Sequence, residues 1–512
     1  MTFKVVVGNL PTMSYVRKRK KNGKVYFEEV ESVRINGKVI QRYVKNVKKE
    51  ADSKTILSSP ITNISIEEVK IYGPLLVLNY FCKQLGLSEI LGEFGDEILS
   101  LVFAHCINYR SINQMEQWFK RTDLNHILNL KSLTESRLLK ALDSIELQNI
   151  ENLERNIFKK VKEKYKLDTD GIVYDVTNTY LYGKKCYFGR LGKDKDKIKG
   201  RPLIQIGLGV TRTEGIPIFH RTFNGNIGDS RTLRDLITSF KNFDINFAVI
   251  IYDRGVTSAS NIKEIKKLKL DTICGVPSNN NLKKILKKIV AENKINDIKN
   301  RIKINESIFY VFRENYIIGE VKGVLLIFYN IQKGKDLSES RKDEIQNAQL
   351  LLKKNEKIKT ELEKYFDKDG KIDYIKIYEE EKMDGFSFIF SSLELSSEEI
   401  LKLYFQDKDM VEKAFQSLKG IVKIRPIRHW LYDRVIGHIF ICYLSYLLLS
   451  LLRLKLKKIN MTPVKALQEL DSLYKVYIKD LENGFKLEKT VALTKVQEDI
   501  LNCIDKNLLF NL

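Results

Sequence analysis

The strongest constraint on this fold is the alternation of strand-like and helix-like segments between residues 171 and 276. Three apolar or alternating stretches, the first of them GIVYDV, predict strands, and GDSRTLRDLITSF predicts a helix after them. A strand (FAVIIYD), a helix (SASNIKEIKKL) and a further strand (DTICGV) follow in turn. The resulting order, β-β-β-α-β-α-β, predicts a mixed α/β sheet.

The rest of the chain divides into segments of different periodicity. With 512 residues, the chain is long enough for about two to four domains. Two Asn-Gly pairs within basic, alternating sequence predict β-hairpins near the amino terminus. Helical periodicity then predicts a helical domain, which is either a DNA-binding domain or a scaffold, because no recognition helix stands out. The predicted parts are a basic β-hairpin module (1–60), the helical domain (61–165), the first part of the sheet domain (166–276), an inserted β-rich domain (277–382), the second part of the sheet domain (383–455) and a C-terminal helical region (456–512).

The charge balance narrows the class of partner. Lys and Arg number 88 against 65 Asp and Glu, a formal charge of +23, which suits nucleic acid or an anionic membrane surface. An AT-rich coding sequence would also raise the lysine content, so charge makes nucleic acid the leading partner without proving it. The six cysteines are scattered without a CxxC pair or a Cys/His cluster, which argues against a disulfide framework or structural zinc and fits a reducing cytoplasm.

One apolar stretch, residues 435–452, carries no formal charge and approaches the length of a membrane span. It contains a histidine and two serines and is flanked by basic residues on both sides. We interpret it as a buried core helix, with a single membrane span as the alternative.

Two carboxylates lie within or at the end of apolar strands of the predicted sheet, Asp175 in VYDVTNT and Asp253 in IYDRG. The first and fourth strands of such a sheet can be neighbours, which would bring both acids into one site. Mg²⁺ and Mn²⁺ prefer hard oxygen ligands, and two such ions can activate a water and stabilise the leaving oxygen of a phosphodiester. The alternative for Asp253 is a turn residue in a salt bridge with Arg254.

Glu412 is the candidate for a third acid. On a helix it shares one face with Lys408, one turn earlier, and Lys419, two turns later. In this arrangement the glutamate could bind a metal ion while the lysines hold phosphates. The alternative is an exposed Lys-Glu-Lys ladder that contributes only a few tenths of a kcal/mol.

Four ordered blocks of sequence resemble the bacterial insertion-sequence transposases of the DDE type. They are YDVTNTYLYG, GLGVTRTEGIPIFHRTFNGNIGDSRTL, IIYDRGVTSASNI, and MVEKAFQSLKGIVKIRPIRHW with the following GHIFICYLSYLL. The resemblance extends over roughly residues 171–452. It implies an α/β fold with a ribonuclease-H-like mixed sheet and an inserted β-rich domain before the catalytic glutamate, preceded here by the β-hairpin module and the helical domain.

The resemblance also implies roles for individual residues. Asp175, Asp253 and Glu412 would be the catalytic acids and would hold two Mg²⁺ ions, for which Mn²⁺ can substitute. In a related signature a tyrosine and an arginine stand where this chain has Phe405 and Lys408. The residues expected to contact DNA are Lys408, Lys419, Arg254, Lys423, Arg425 and Arg428.

The implied function is transposition in the bacterial cytoplasm, in association with the nucleoid and without a membrane. The protein would bind the terminal inverted repeats of its element as double-stranded DNA, cleave the backbone and join the 3′-hydroxyl to target DNA, as a homo-oligomer. The alternatives are a ribonuclease-H-like nuclease without strand transfer and a catalytically inactive DNA-binding repressor. Some relatives stack a flipped base on a tryptophan of the insertion. This chain has no tryptophan there, so either a residue such as Tyr310 or Phe312 takes that role or the feature is absent.

Overall fold

A computed structural model of the chain begins with a small antiparallel sheet. It describes residues 14–21, 24–35, 38–46, 63–183, 186–192, 200–237, 242–243, 245, 249–292, 295–354, 356–482 and 484–510. Strands β1 (Ser14–Lys21), β2 (Lys24–Ile35) and β3 (Lys38–Asn46) pair in sequence order. At the strand ends Lys21 pairs with Lys24 and Ile35 with Lys38, and the two Asn-Gly pairs predicted to form the turns lie outside the described residues.

A helical layer follows the edge strand β4 (Ile64–Ile71). Its helices are α1 (Gly73–Leu85), α2 (Leu87–Leu91), α3 (Gly95–Ile107), α4 (Ile112–Arg121), α5 (Leu124–Ile127), α6 (Glu135–Asp143) and α7 (Leu147–Tyr165). Their apolar faces pack into the same hydrophobic core as the central sheet, so this layer is continuous with the rest of the protein.

The central sheet has the strand order expected of a ribonuclease-H-like core. Strands β5 (Gly171–Tyr180), β6 (Leu203–Thr211), β7 (Pro217–Asn224), β8 (Val249–Tyr252) and β9 (Asp271–Gly275) lie in the order β7-β6-β5-β8-β9. The β5, β8 and β9 strands are parallel, whereas β6 and β7 run antiparallel to their neighbours. Helices α8 (Asp229–Ile237) and α9 (Ala259–Lys267) make the connections around β8. The predicted α/β class is therefore confirmed.

The insertion extends this sheet. After α10 (Asn280–Ala291) and a short 3₁₀ turn (Ile298–Asn300) come β10 (Arg301–Ile304), β11 (Ser307–Ile318) and β12 (Val321–Asn330). Helices α11 (Ile331–Lys353), α12 (Thr360–Glu363) and α13 (Tyr374–Glu381) enclose a small core of their own, and β13 (Phe386–Ser391) follows. Because β13 pairs with both β9 and β12, the inserted strands continue the sheet to nine strands.

Two long helices follow the insertion, α14 (Ser397–Gly420) and α15 (Tyr432–Leu456), and a 3₁₀ turn (Lys457–Ile459) ends the second. The last elements are α16 (Pro463–Leu470), β14 (Tyr474–Asp480), β15 (Lys486–Thr490), α17 (Lys495–Ile504) and α18 (Asn507–Phe510). The region 456–512 was predicted to be helical, yet β14 pairs with β4 and β15 in a three-stranded sheet. The alternating sequence YKVYIKD accounts for this difference, since period-two alternation is typical of a half-buried strand.

The apolar stretch at residues 435–452 is a core helix. In the described part of the chain, the segment Tyr432–Ile459 is the one helical segment long and apolar enough to span a membrane, and its apolar window is wholly buried in the protein. It contacts α3, α6, β7 and α17. A helix enclosed on all sides is apolar all round, which explains why its composition is like that of a span.

Candidate active site

The sheet register brings Asp175 and Asp253 together. In the parallel β5–β8 pair, Tyr174 lies opposite Tyr252. Asp175 directly follows Tyr174, and Asp253 directly follows Tyr252. Neighbouring strands lie about 4.8 Å apart and side chains alternate between faces, so both carboxylates project from the same face of adjacent strands. The opposite face carries Tyr174, whose hydroxyl donates a hydrogen bond to Thr232 of α8 at 3.0 Å. The predicted juxtaposition of the first two acids is thus present.

Helix α14 brings Glu412 to the face of the two aspartates. The helix contacts β5, β6 and β8, and it buries Val411, Ala414 and Leu418 as the sequence pattern predicted. The ammonium nitrogen of Lys408 lies 3.3 Å from Oδ2 of Asp253 and 3.4 Å from Oε1 of Glu412. Lys408 therefore bridges the strand acid and the helix acid.

The electrostatics of this cluster favour the ionised form of Asp253 and the charged form of Lys408. Burial favours a higher pKa for Asp253, but the charge of Lys408 and the hydrogen bond from the backbone amide of Arg254 outweigh it, so the pKa is lowered. Burial alone would lower the pKa of Lys408, but Asp253 and Glu412, with a smaller contribution from Asp175, raise it. All three acids thus act on one cation.

The three acids fit a divalent cation. Carboxylate oxygens are the ligands that Mg²⁺ and Mn²⁺ prefer. A cation already lies between Asp253 and Glu412, namely the ammonium group of Lys408, which shows that this position attracts positive charge. Asp175, Asp253 and Glu412 are therefore the residues that could hold metal ions here.

Tyr404 is a member of the site that the sequence analysis missed. Its hydroxyl donates a hydrogen bond to Oδ1 of Asp253 at 3.1 Å. Gly275 makes this possible, because a Cβ atom there would lie only 2.6 Å from the tyrosine oxygen. The available signal was the helical spacing of four between Tyr404, Lys408 and Glu412, which places all three on one face.

Phe405 was considered as the counterpart of the family's tyrosine, but it has a different environment. It stacks on Phe309 of β11 with ring centroids 4.9 Å apart and an interplanar angle of 13°. It also meets the ring of Phe328 of β12 edge-on at 5.5 Å. Phe405 therefore anchors α14 to the inserted strands.

A cavity of about 500 Å³ opens beside Asp253, between the core and the insertion. Its lining combines aromatic rings, among them Phe309 and Phe405, with the cationic side chains of Arg254, Lys333 and Lys408. The cavity has the chemistry to accept an anionic ligand that carries rings. Its lining includes neither of the two residues considered for base stacking, Tyr310 and Phe312.

Lys333 is a second residue that the sequence analysis missed. It lies in the first turn of α11, and its ammonium group donates a hydrogen bond to Oγ of Ser387 at 2.8 Å. Partial burial lowers its pKa, and the charges of Arg254 and Lys408 lower it further, whereas Asp253 opposes them. Arg254, Lys333 and Lys408 repel one another, and a bound phosphate would offset this repulsion.

The remaining residues predicted to contact DNA lie near the end of α14 and beyond it. Lys419 is in the last turn of α14, and Lys423 and Arg425 belong to the segment that follows. Arg428 is exposed, and its guanidinium lies 5.5 Å from the ring centroid of Tyr182. Of the predicted DNA-contacting residues outside α14, Arg254 is the one that lines the cavity. Its side chain is exposed, and its backbone amide donates a hydrogen bond to Oδ1 of Asp253 at 2.7 Å.

Comparison with known proteins places this site within a family. Residues 166–448 match the family model described as the transposase DDE domain. No curated protein matches the chain. A cryo-EM structure of the piggyBac transposase synaptic complex with hairpin DNA is similar over 78% of this chain and 80% of that chain, with 14% sequence identity and a TM-score of 0.37. At these values the similarity adds nothing to the fold established above.

The family match covers more than half of the chain and includes all three acids, the insertion and α14. Proteins of this family act in DNA transposition and generally use divalent metal ions. The chain belongs to the transposase DDE-domain family.

Proposed function

We propose that this protein is a bacterial insertion-sequence transposase that cleaves the DNA backbone at the ends of its element and joins the freed 3′-hydroxyl to target DNA. The observation that carries the proposal is the convergence of acids and a lysine on one face of the adjacent strands β5 and β8. Asp253, Glu412 and Lys408 meet there beside Asp175. Hard oxygen ligands, a lysine ammonium group between two of them and an adjoining cationic cavity together suit phosphodiester chemistry.

Asp175, Asp253 and Glu412 would hold two Mg²⁺ ions, or Mn²⁺ in their place. When bound, such ions activate the attacking hydroxyl or water and stabilise the leaving oxygen. Tyr404 would keep the Asp253 carboxylate in one orientation through its hydrogen bond. Lys408 would leave the acids for a DNA phosphate, since a lysine is a flexible point charge with three donors.

The proposed partner is double-stranded DNA, both at the element ends and at the target. A formal charge of +23 supports strong, salt-dependent attraction to the phosphate backbone. We assign end binding to the β-hairpin module and the helical domain, and contacts near the cleaved bond to Lys408, Lys419, Arg254, Lys423, Arg425 and Arg428. The proposal includes a homo-oligomer on DNA and action at the bacterial nucleoid.

The test is cleavage of a duplex that contains an element end, in the presence of Mg²⁺ or Mn²⁺. Asp175→Asn, Asp253→Asn and Glu412→Gln should each abolish cleavage and leave duplex binding largely intact, because each removes a charge and little volume. Asp409→Asn is the matched control: Asp409 is a half-exposed acid on the same helix and pairs with Lys413, not with the site. Cleavage that survives all three substitutions would refute the assignment of the acids.

A joining assay with the same proteins then separates transposition from its alternatives. Wild-type protein should transfer the 3′-end of a precleaved duplex to a target plasmid. Cleavage without joining would instead identify a nuclease. Binding without cleavage in either Mg²⁺ or Mn²⁺ would identify a DNA-binding repressor.

A further inference from the structure

A second group of metal-ligand side chains lies away from the carboxylate site. His105 belongs to α3 of the helical layer, whereas His438 and Cys442 are one turn apart on α15. All three are buried, and their potential ligand atoms lie within 4.8 Å of one another. Tertiary packing therefore adds His105 to a His/Cys pair that is already one helical turn apart.

The dimensions of this group are close to those of a zinc site. Zinc in proteins is tetrahedral with bonds of about 2.3 Å to sulfur and about 2.0 Å to nitrogen, so a sulfur ligand and a nitrogen ligand lie about 3.5 Å apart. Sγ of Cys442 lies 3.7 Å from Nε2 of His438. The imidazole of His105 lies close to the same sulfur, with its carbonyl-bonded nitrogen Nδ1 at 3.9 Å. A shift of a few tenths of an ångström would bring His438 and Cys442 to bonding geometry.

Backbone carbonyls hold both imidazole rings. Nδ1 of His105 lies 2.5 Å from the carbonyl oxygen of Val422, and the carbonyl of Ile424 bonds the ring of His438. Histidines that bind metals usually donate their other ring N–H to a carbonyl or carboxylate, which fixes the ring and its tautomer. The ring nitrogen that each histidine would offer to a metal ion is therefore Nε2.

A cavity of about 110 Å³ adjoins the group and supplies a fourth coordination position. Its lining includes His105, His438, His429 and Tyr109. The ring centroid of His429 lies 5.7 Å from that of His438. The fourth ligand is thus His429 or a water molecule in the cavity.

We propose that His105, His438 and Cys442 bind one Zn²⁺ ion that fastens the helical layer to the catalytic core. Binding would replace the thiol proton of Cys442, which is released to solvent, with a zinc–thiolate bond. Nitrogen and sulfur donors favour zinc over Mg²⁺, so this site and the carboxylate site would select different ions. Because Val422 and Ile424 directly follow α14, the ion would also fix the carboxyl end of the helix that carries Glu412.

The test is the metal content of the full-length protein, purified without chelators and dialysed to remove weakly bound ions. We expect about one zinc per chain by mass spectrometry. Cys442→Ala and His438→Gln should lose it. Two controls should retain it: Cys82→Ala, which removes another buried thiol of the helical layer, and Asp253→Asn, which alters the carboxylate site.

Cobalt substitution of the wild type gives a readout that does not depend on the folding of any variant. Cobalt in this site should show a thiolate-to-cobalt charge-transfer band, which a carboxylate site does not produce. The absence of both retained zinc and this band after titration with Zn²⁺ or Co²⁺ would overturn the proposal. So would loss of zinc in Cys82→Ala or Asp253→Asn to the same extent as in Cys442→Ala.

Discussion

Replacing Lys408 with methionine tests whether its ammonium group occupies the position of a divalent ion. At 3.3 Å from Asp253 and an effective dielectric constant of about 20, one such contact corresponds to about 5 kcal/mol of Coulomb energy. The acid side chains are 37% and 51% exposed, so solvent screening reduces each contact to about 1 kcal/mol or less. Two contacts then amount to about 1–2 kcal/mol, or about five- to thirtyfold in an equilibrium constant.

Lys408→Met should therefore raise the affinity of the DNA-free protein for Mn²⁺ by about five- to thirtyfold. The acids no longer have the lysine as a partner, so a metal ion does not have to displace it. The gain in Mn²⁺ affinity should be constant between pH 7 and 9, since the surrounding acids raise the pKa of Lys408 and keep this lysine protonated in the wild type.

The assay is Mn²⁺ binding followed by electron paramagnetic resonance, with Lys413→Met as the matched control. Lys413 lies on the same helix and pairs with Asp409, which is outside the site. For DNA the effect of Lys408→Met should be the reverse: the loss of one phosphate contact should weaken DNA binding and reduce its salt slope by about 0.9. An Mn²⁺ affinity that is unchanged or lower in Lys408→Met would refute the reasoning.

Three further substitutions test neighbouring interactions. Tyr404→Phe should slow cleavage by about tenfold or more, because it removes a hydrogen bond to an ionised Asp253; single-turnover kinetics would measure this. Lys333→Gln should weaken end binding and reduce its salt slope by about 0.9, whereas Lys335→Gln, an exposed change on the same helix, should not. Burial raises the pKa of Asp407 to about 7, so the folded state resists the ionisation that the unfolded chain undergoes near pH 4. As the pH rises from 4 to 7, the wild type should therefore lose up to about 4 kcal/mol of unfolding free energy relative to Asp407→Asn, as measured by urea denaturation.

Local periodicity was sufficient to predict the core of the site. Strand alternation and the β-β-β-α-β order placed Asp175 and Asp253 on adjacent strands, and the register confirms that neighbourhood. Helical spacing correctly put Lys408 on the face of Glu412. These predictions held because each depends on a repeat within one element and on a strand order that the ribonuclease-H-like fold fixes.

Contacts between distant segments were not predictable in this way. Tyr404 reaches Asp253 only because Gly275, on a third element, leaves room for its hydroxyl group. The inserted strands β10, β11 and β12 extend the central sheet because β12 pairs with β13. Neither contact has a signature in the spacing of residues along the chain.

The sequence by itself therefore determined the α/β class and predicted the three acids as one site, since strands and helices record their buried faces in short periods. Only the tertiary structure decided which cations and aromatic rings surround those acids. It also assembled His105 and Cys442, which are scattered in the sequence, into one buried group. The physical reason is that burial and metal-ligand geometry depend on distances in space, which residues far apart in the chain acquire only when the core packs.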